Sequence, residues 1–315
     1  MKAIIDSIPI ADVIKALLDL DNPLPAQFLY VFSDISESDL AEVRKIWEDI
    51  AVNRKVYLFA ELERLIETDT LLAFDEIARF ALSDSDPNVR SKAISLLWEC
   101  EDPRLAGELS IMLEQDQNEM VQLSAAAALG RYVLLGELDE IPQGITNKVR
   151  ELLLRVFSSH PSKEIRQEVF KSLSYANLPE IDKMISSKFN DPDLSWQLAA
   201  IIAMGRSADE RWEKPILKTL HSPNLPHQIE AVRSAGELEL TSARLPLLDI
   251  LNAHIKDEDL RFQVIWSLSK IGGEEVKETL EKLLDSADSE DEVEIIELAL
   301  EHLAFNDELP SLDIF

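Results

Sequence analysis

Cysteine is almost absent. Cys100 stands alone among 315 residues, which excludes an intrachain disulfide and a cysteine-built metal site. Glycine is scarce, with eight residues, and aromatics make up 6%, while Leu, Ile, Ala and Glu dominate. That balance favours helices over strands. No segment alternates polar and apolar residues with period two, so no strand is expected. No apolar run approaches the ~18 residues of a bilayer span. Met1 to Pro9 lack the basic and then apolar order of a secretion signal, and a cytoplasmic location is expected. Basic side chains are few, 31 against 60 acidic ones, for a net charge of -29. Nucleic-acid binding needs clustered Lys and Arg, and anionic membranes repel such a surface, so both are set aside as partners.

Catalytic patterns are missing too. There is no glycine-rich phosphate loop and no nucleophile elbow. Of His160, His221, His227, His254 and His302, none lies three or four residues from another, so no helix carries a local metal pair. No catalytic, metal or cofactor residue is therefore assigned, and no cofactor is expected.

What the chain does carry is a repeat. Val89-Arg90-Ser91-Lys92-Ala93 is echoed at Val121, Ile165 and Leu260, and more weakly at Trp196, His227 and Glu292. Successive anchors are 32, 44, 31, 31, 33 and 32 residues apart. Each opens a helix. Positions 0, +4, +7 and +8 share one apolar face, and +7 is mostly small, which admits a close neighbouring helix. Asp86-Pro87, Asp191-Pro192 and Ser222-Pro223 are expected to cap these helices, with proline at the first helical position. Gly130, Gly205 and Gly236, at +9, are expected either to end helices through a left-handed residue or to answer crowding inside the array. A second helix is expected in each unit, over 103–115, 147–158, 179–189, 209–220, 241–254 and 274–284.

Helical pairs of ~30 residues, opened by Asp-Pro-x-Val-Arg-x-x-Ala (Asp86 to Ala93) and closed by Ala-Leu-Gly (Ala128 to Gly130), resemble bacterial HEAT repeats. They are similar to the short variety named after the phycobilin lyases, over about Asp84 to Leu303. The resemblance implies an all-α fold, a right-handed α-solenoid of HEAT-like hairpins with an armadillo-like superhelix. It says little of function, because the family includes scaffolds, adaptors, chromophore lyases and DNA glycosylases.

Residues 1–83 are helical but degenerate and are taken as a divergent N-terminal cap on an array of about seven pairs over 84–305. The long step between Val121 and Ile165 is taken as an extended helix followed by a loop. Residues 306–315 are taken as an acidic tail, and Asp285 to Phe315 contains no Lys or Arg. At +10 stand Glu99, Arg131, Tyr175, Arg206, Glu237 and Lys270. Pairs Glu99–Arg131 and Arg206–Glu237 are expected across repeats. Trp98, Glu99, Arg131, Arg206 and Glu237 are the candidate partner-binding residues. The function expected is a non-enzymatic scaffold or adaptor that presents an acidic surface to a protein or peptide, a basic one by charge. The alternative, carried by the resemblance alone, is a lyase or chaperone-like enzyme for a chromophore or prosthetic group.

Overall fold

The computed structural model describes residues 8–253, 255–287 and 289–308. His254 and the last seven residues of the expected tail lie outside them, as do residues 1–7 of the segment read as lacking a leader. Every regular element among the described residues is helical. The chain divides into two compact units, residues 1–172 and 173–315, and each is an α-solenoid segment of stacked hairpins. No described helix is long and apolar enough to cross a membrane.

The first unit begins with α1 (Ile10–Leu18), α2 (Ala26–Leu29), α3 (Glu37–Ile46), α4 (Val52–Thr68) and α5 (Asp75–Ala81). Buried Arg54 on α4 donates to the backbone carbonyls of Asp19 and Asn22, which fastens the end of α1. Lys55 on the same helix is 3% exposed and reaches Asp84 at 2.8 Å. This pair ties α4 to the turn before the first regular repeat. There follow α6 (Pro87–Leu96), α7 (Pro103–Gln115), α8 (Glu119–Glu137), α9 (Gln143–Ser159) and α10 (Lys163–Leu173). The second unit holds α11 (Pro179–Phe189), α12 (Leu194–Arg206), α13 (Glu213–Thr219), α14 (Leu225–Glu237), α15 (Arg244–Asn252), α16 (Glu258–Ile271), α17 (Glu274–Leu284) and α18 (Glu290–Glu308). Within each unit the anchored helices pack on one another in one layer, and the linking helices pack behind them.

The anchored face is the core. All seven anchors are buried, and so are Ala93, Ala125, Val169, Ala200, Ala231, Val264 and Ile296 at +4. Two anchors are polar and each is satisfied: His227 Nε2 lies 2.9 Å from the Leu194 carbonyl, and Glu292 accepts from Arg261 at 2.7 Å.

The helix starts are corrected at two repeats. A cap stands three residues before every anchor: Asp86, Asn118, Ser162, Asp193, Asn224, Asp257 and Ser289 each accept a backbone N–H of the first turn. Asp191 and Ser222 are therefore not caps. They sit two residues upstream and accept the N–H of Asp193 and Asn224, a side-chain turn that folds the chain into its cap. Asp84, Asp116 and His160 Nδ1 do the same for Asp86, Asn118 and Ser162. From +1 of several helices a long polar side chain returns to this turn. Arg90 donates to the carbonyl of Asp84, Gln122 to that of Asp116 and Gln197 to that of Asp191.

The +9 glycines do not end helices. Gly130, Gly205 and Gly236 lie within α8, α12 and α14. They serve close approach. A Cβ on Gly236 would stand 2.8 Å from Ser267 Cβ, and one on Gly130 would stand 3.2 Å from Ser172 Cα. The facing serines sit at +7 of the next anchored helix. Ser172 and Ser234 donate to the carbonyls of Ala126 and Ile201 at 2.8 and 2.9 Å. Helix ends fall to other residues. Asp139 and Glu239 adopt φ of 58° and 48°. Glu140 and Leu240 then donate back to the carbonyls of Leu135 and Ala235, the hydrogen-bond pattern of a Schellman stop. The long step is an extension of α8 through Glu137 and a short loop before Gln143. Residues 306–308, expected in the tail, end α18 instead.

Candidate functional site

The five residues singled out in sequence fall into two places. In the first unit, α6 stops at Leu96, so Trp98 and Glu99 sit in the turn beyond it and not on a helix face. Trp98 is 56% exposed. It borders a cleft of about 300 Å³ with Phe74, Leu96, Cys100 and the acids Asp75, Glu99 and Glu101. Because the turn carries Glu99 off the expected row, Arg131 pairs with Glu101 instead, at 2.7 Å. The Glu99–Arg131 pair is thus replaced by one two residues along. Cys100 is buried beside Arg79, and Asp102 accepts from the same guanidinium at 2.7 Å. Burial pushes the Cys100 thiol up, against the pull of the Asp102 amide and Arg79, so a thiolate is not favoured there. Tyr132 donates its hydroxyl to the carbonyls of Cys100 and Asp102. These bonds hold the turn and leave it no evident chemistry.

The second unit brings Arg206 and Glu237 into one network on the outward side of its anchored layer. Arg206 lies over the ring of Tyr175 at 5.3 Å. Lys270 lies 6.0 Å over the ring of Trp266, and Trp266 meets the His302 ring at 5.4 Å. Glu237 stands between these groups. The residue is exposed overall, but partial desolvation pushes its carboxyl up, against the pull of Lys270, Arg206 and Arg233. Its carboxylate folds over the bare backbone of Gly205. The expected direct Arg206–Glu237 bond is not the one formed: Arg206 stacks on the tyrosine and acts on Glu237 at longer range. Arg233 binds Gln263 at 3.1 Å and Glu230 at 3.4 Å. Beyond Trp266, α18 exposes Leu298 and Phe305 at 47% and 64%.

The row therefore runs Tyr175, Arg206, Glu237, Lys270, Trp266, His302. Its +10 members are legible from the repeat spacing. Trp266 was missed because it stands at +6, and reading that column (Ile202, Arg233, Trp266, Leu298) would have found it. Among the described residues no group of three His, Cys, Asp or Glu is placed to hold a metal ion.

Residues 213–301 match the family model for HEAT repeats. No curated protein matches the sequence. Among solved structures, human deoxyhypusine hydroxylase in complex with glycerol is 16% identical, with 94% of this chain and 96% of that chain covered and a TM-score of 0.38. YibA of E. coli is 16% identical, with 90% and 97% covered and a TM-score of 0.42. Kap121p bound to Nup53p is 15% identical, with 97% and 40% covered and a TM-score of 0.43. Residues 213–301 are HEAT repeats by this match, and their cap and buried positions recur in all seven anchored helices.

Proposed function

We propose that this protein is a non-enzymatic interaction scaffold whose Tyr175–His302 row receives a segment of another protein. The observation that carries the reading is the pairing of cations with half-exposed aromatic rings on one continuous face. Arg, Trp and Tyr are the residue types that dominate binding hot spots. Here Arg206 and Lys270 are already oriented over rings, so little side-chain freedom is lost on contact. The charge of the whole chain favours basic partners at long range. The row and its neighbours Arg233 and Glu230 set Arg206, Arg233 and Lys270 against Glu230 and Glu237, a local balance that supports a carboxylate beside an apolar side chain as the group received.

The test is affinity capture from source-cell lysate with the wild type and with a Trp266→Ala/Lys270→Ala variant. A recurrent protein held by the wild type and lost from the variant supports the row. Loss of one hot spot is expected to weaken binding by about 2 kcal/mol, roughly thirtyfold. Equal capture by both forms overturns the row as the binding face. A retained small molecule with no protein partner overturns the scaffold reading.

A further inference from the structure

A second surface lies in the first unit and stands whether or not the Tyr175–His302 row binds anything. Between α7 and α9 runs a groove of about 390 Å³, with Ala106, Val149 and Leu152 on its floor and Arg104, Lys148 and Arg155 around it. Acids outnumber bases almost two to one in the chain. Here the ratio is reversed: among the described lining residues Glu114 is the one carboxylate, and it is bound to Arg155. Arg104 is 83% exposed and paired with Asp102 at 2.7 Å, so Lys148 is the cation of the lining with no ion pair among the described residues. The groove's length is set by the helices. Its lining runs from Pro103 to Glu114 on α7 and from Ile145 to Arg155 on α9, and Arg155 meets Glu114 where both stretches end. Pro103 to Glu114 at 1.5 Å per residue is about 16 Å, or about three helical turns.

Gly107 lies midway along it. A glycine inside a helix weakens that helix relative to alanine, and no packing among the described residues calls for this one. A Cβ built on Gly107 would meet no atom within 4 Å, unlike those on Gly130 and Gly236. Together with Ala106 it leaves the α7 backbone open to a close neighbour. A third helix can approach small residues to ~8 Å, and a groove between helices takes the apolar stripe of such a helix.

We propose that this groove docks an acidic amphipathic helix, about three turns long, from a partner protein. Its aliphatic stripe lies over Gly107, Val149 and Leu152, and its carboxylates meet Arg104, Lys148 and Arg155. The positive ends of α7 and α9 are at the Arg104 and Lys148 end, which adds to the preference for acid there.

The probe is a fluorescein-labelled stapled helix of about three turns, with leucine along one stripe and glutamate elsewhere. It is titrated with the full chain by fluorescence anisotropy at low and physiological salt. A lysine-for-glutamate peptide is the control. The acidic peptide is expected to saturate, at least about tenfold tighter than the lysine peptide, and to weaken as salt rises. Lys148→Glu should weaken it about tenfold or more, and Gly107→Trp, which fills open space without disturbing the core, should abolish it. Gly107→Ala and Trp266→Ala should leave binding within about twofold, which separates this groove from the row in the other unit. Circular-dichroism melts check that each variant is folded. The proposal is overturned by absence of saturable binding, by equal or tighter binding of the lysine peptide, or by retention of binding in both groove variants. Self-association of the chain that competes with the peptide would overturn the partner and assign the groove to a second copy.

Discussion

Replacing Asp84 by asparagine tests the buried ion pair between α4 and the first regular repeat. The carboxylate accepts three hydrogen bonds: from Lys55 Nζ at 2.8 Å, Trp47 Nε1 at 2.6 Å and the Asp86 amide at 2.7 Å. Its side chain is fully buried, and that of Lys55 is 3% exposed. The ammonium also lies 4.8 Å over the Trp47 ring. Asparagine keeps the size but offers one acceptor and turns an N–H toward a cation that has nowhere to go. Breaking one side of a buried pair costs about 3–5 kcal/mol, and a loss in this range is expected in urea unfolding at neutral pH. A pH series sharpens the test. Burial pushes the Asp84 carboxyl up, but the Lys55 ammonium, Asp86 amide and Trp47 indole outweigh it and hold it below its ordinary value. A carboxyl depressed in the folded state stabilises fully above its unfolded pKa and loses that contribution as the pH falls through the folded one. The wild-type advantage over Asp84→Asn should therefore be constant at neutral pH and shrink on the acid side. A loss below about 1 kcal/mol at neutral pH, or a difference that grows on acidification, would refute the reasoning. Double replacement by Lys55→Met and Asp84→Leu should recover part of the stability, because paired removal leaves no stranded charge while the Trp47 indole and the Asp86 amide lose their acceptor.

Two further outcomes follow from the packing. Leu129→Ala or Leu268→Ala, at fully buried +8 positions, should cost about 2–5 kcal/mol through cavity formation, measured by denaturant unfolding; a loss below about 1 kcal/mol would mean that another face is buried. Gly236→Ala should destabilise by about 1–3 kcal/mol through overpacking against Ser267, and Ser267→Gly in the same chain should restore part of it; a neutral Gly236→Ala in thermal unfolding would show that the two helices separate freely.

Much of this fold is legible in sequence because the period repeats one physical problem seven times. Val121 and Ile165 must be buried for the same reason, so agreement between copies filters out local noise. The bounds 103–115, 179–189 and 274–284 coincide with α7, α11 and α17, since apolar spacing agrees there with a start signal: Asp102-Pro103, Pro179 and the Gly272-Gly273 break. The errors arise where a residue has two uses. Glycine at +9 fits a helix stop and a helix contact equally well, and the serine opposite, remote in sequence, decides it. Asp191 and Ser222 can cap a helix or fold the turn before it, and a shift of two residues separates the roles. Glu99 was misplaced because α6 ends at +7, whereas α8, α12, α14 and α16 run through +10. Lys55 and Asp84 give no sequence signal at all. Twenty-nine residues apart and both charged, they read as surface until the fold buries them. For the site, the +10 column was visible, but the contact of Arg206 with Tyr175 depends on side-chain reach that spacing does not encode.

The clasp between +1 and the turn before the cap, made by Arg90, Gln122 and Gln197, has an implication for how the array can change length. Both ends of that bond belong to the same hairpin: Gln197 and the Asp191 carbonyl leave or enter together. A segment copied from one such turn to the next arrives with its own start signal already closed, and the gap it leaves is flanked by turns that were never dependent on it. Gene duplication at these joints yields a working length change in a single event, whereas a cut inside a helix strands half a bond on each side. Five of the six anchor steps are 31 to 33 residues, so these joints recur one unit apart, and they are where an engineer would lengthen or shorten the array.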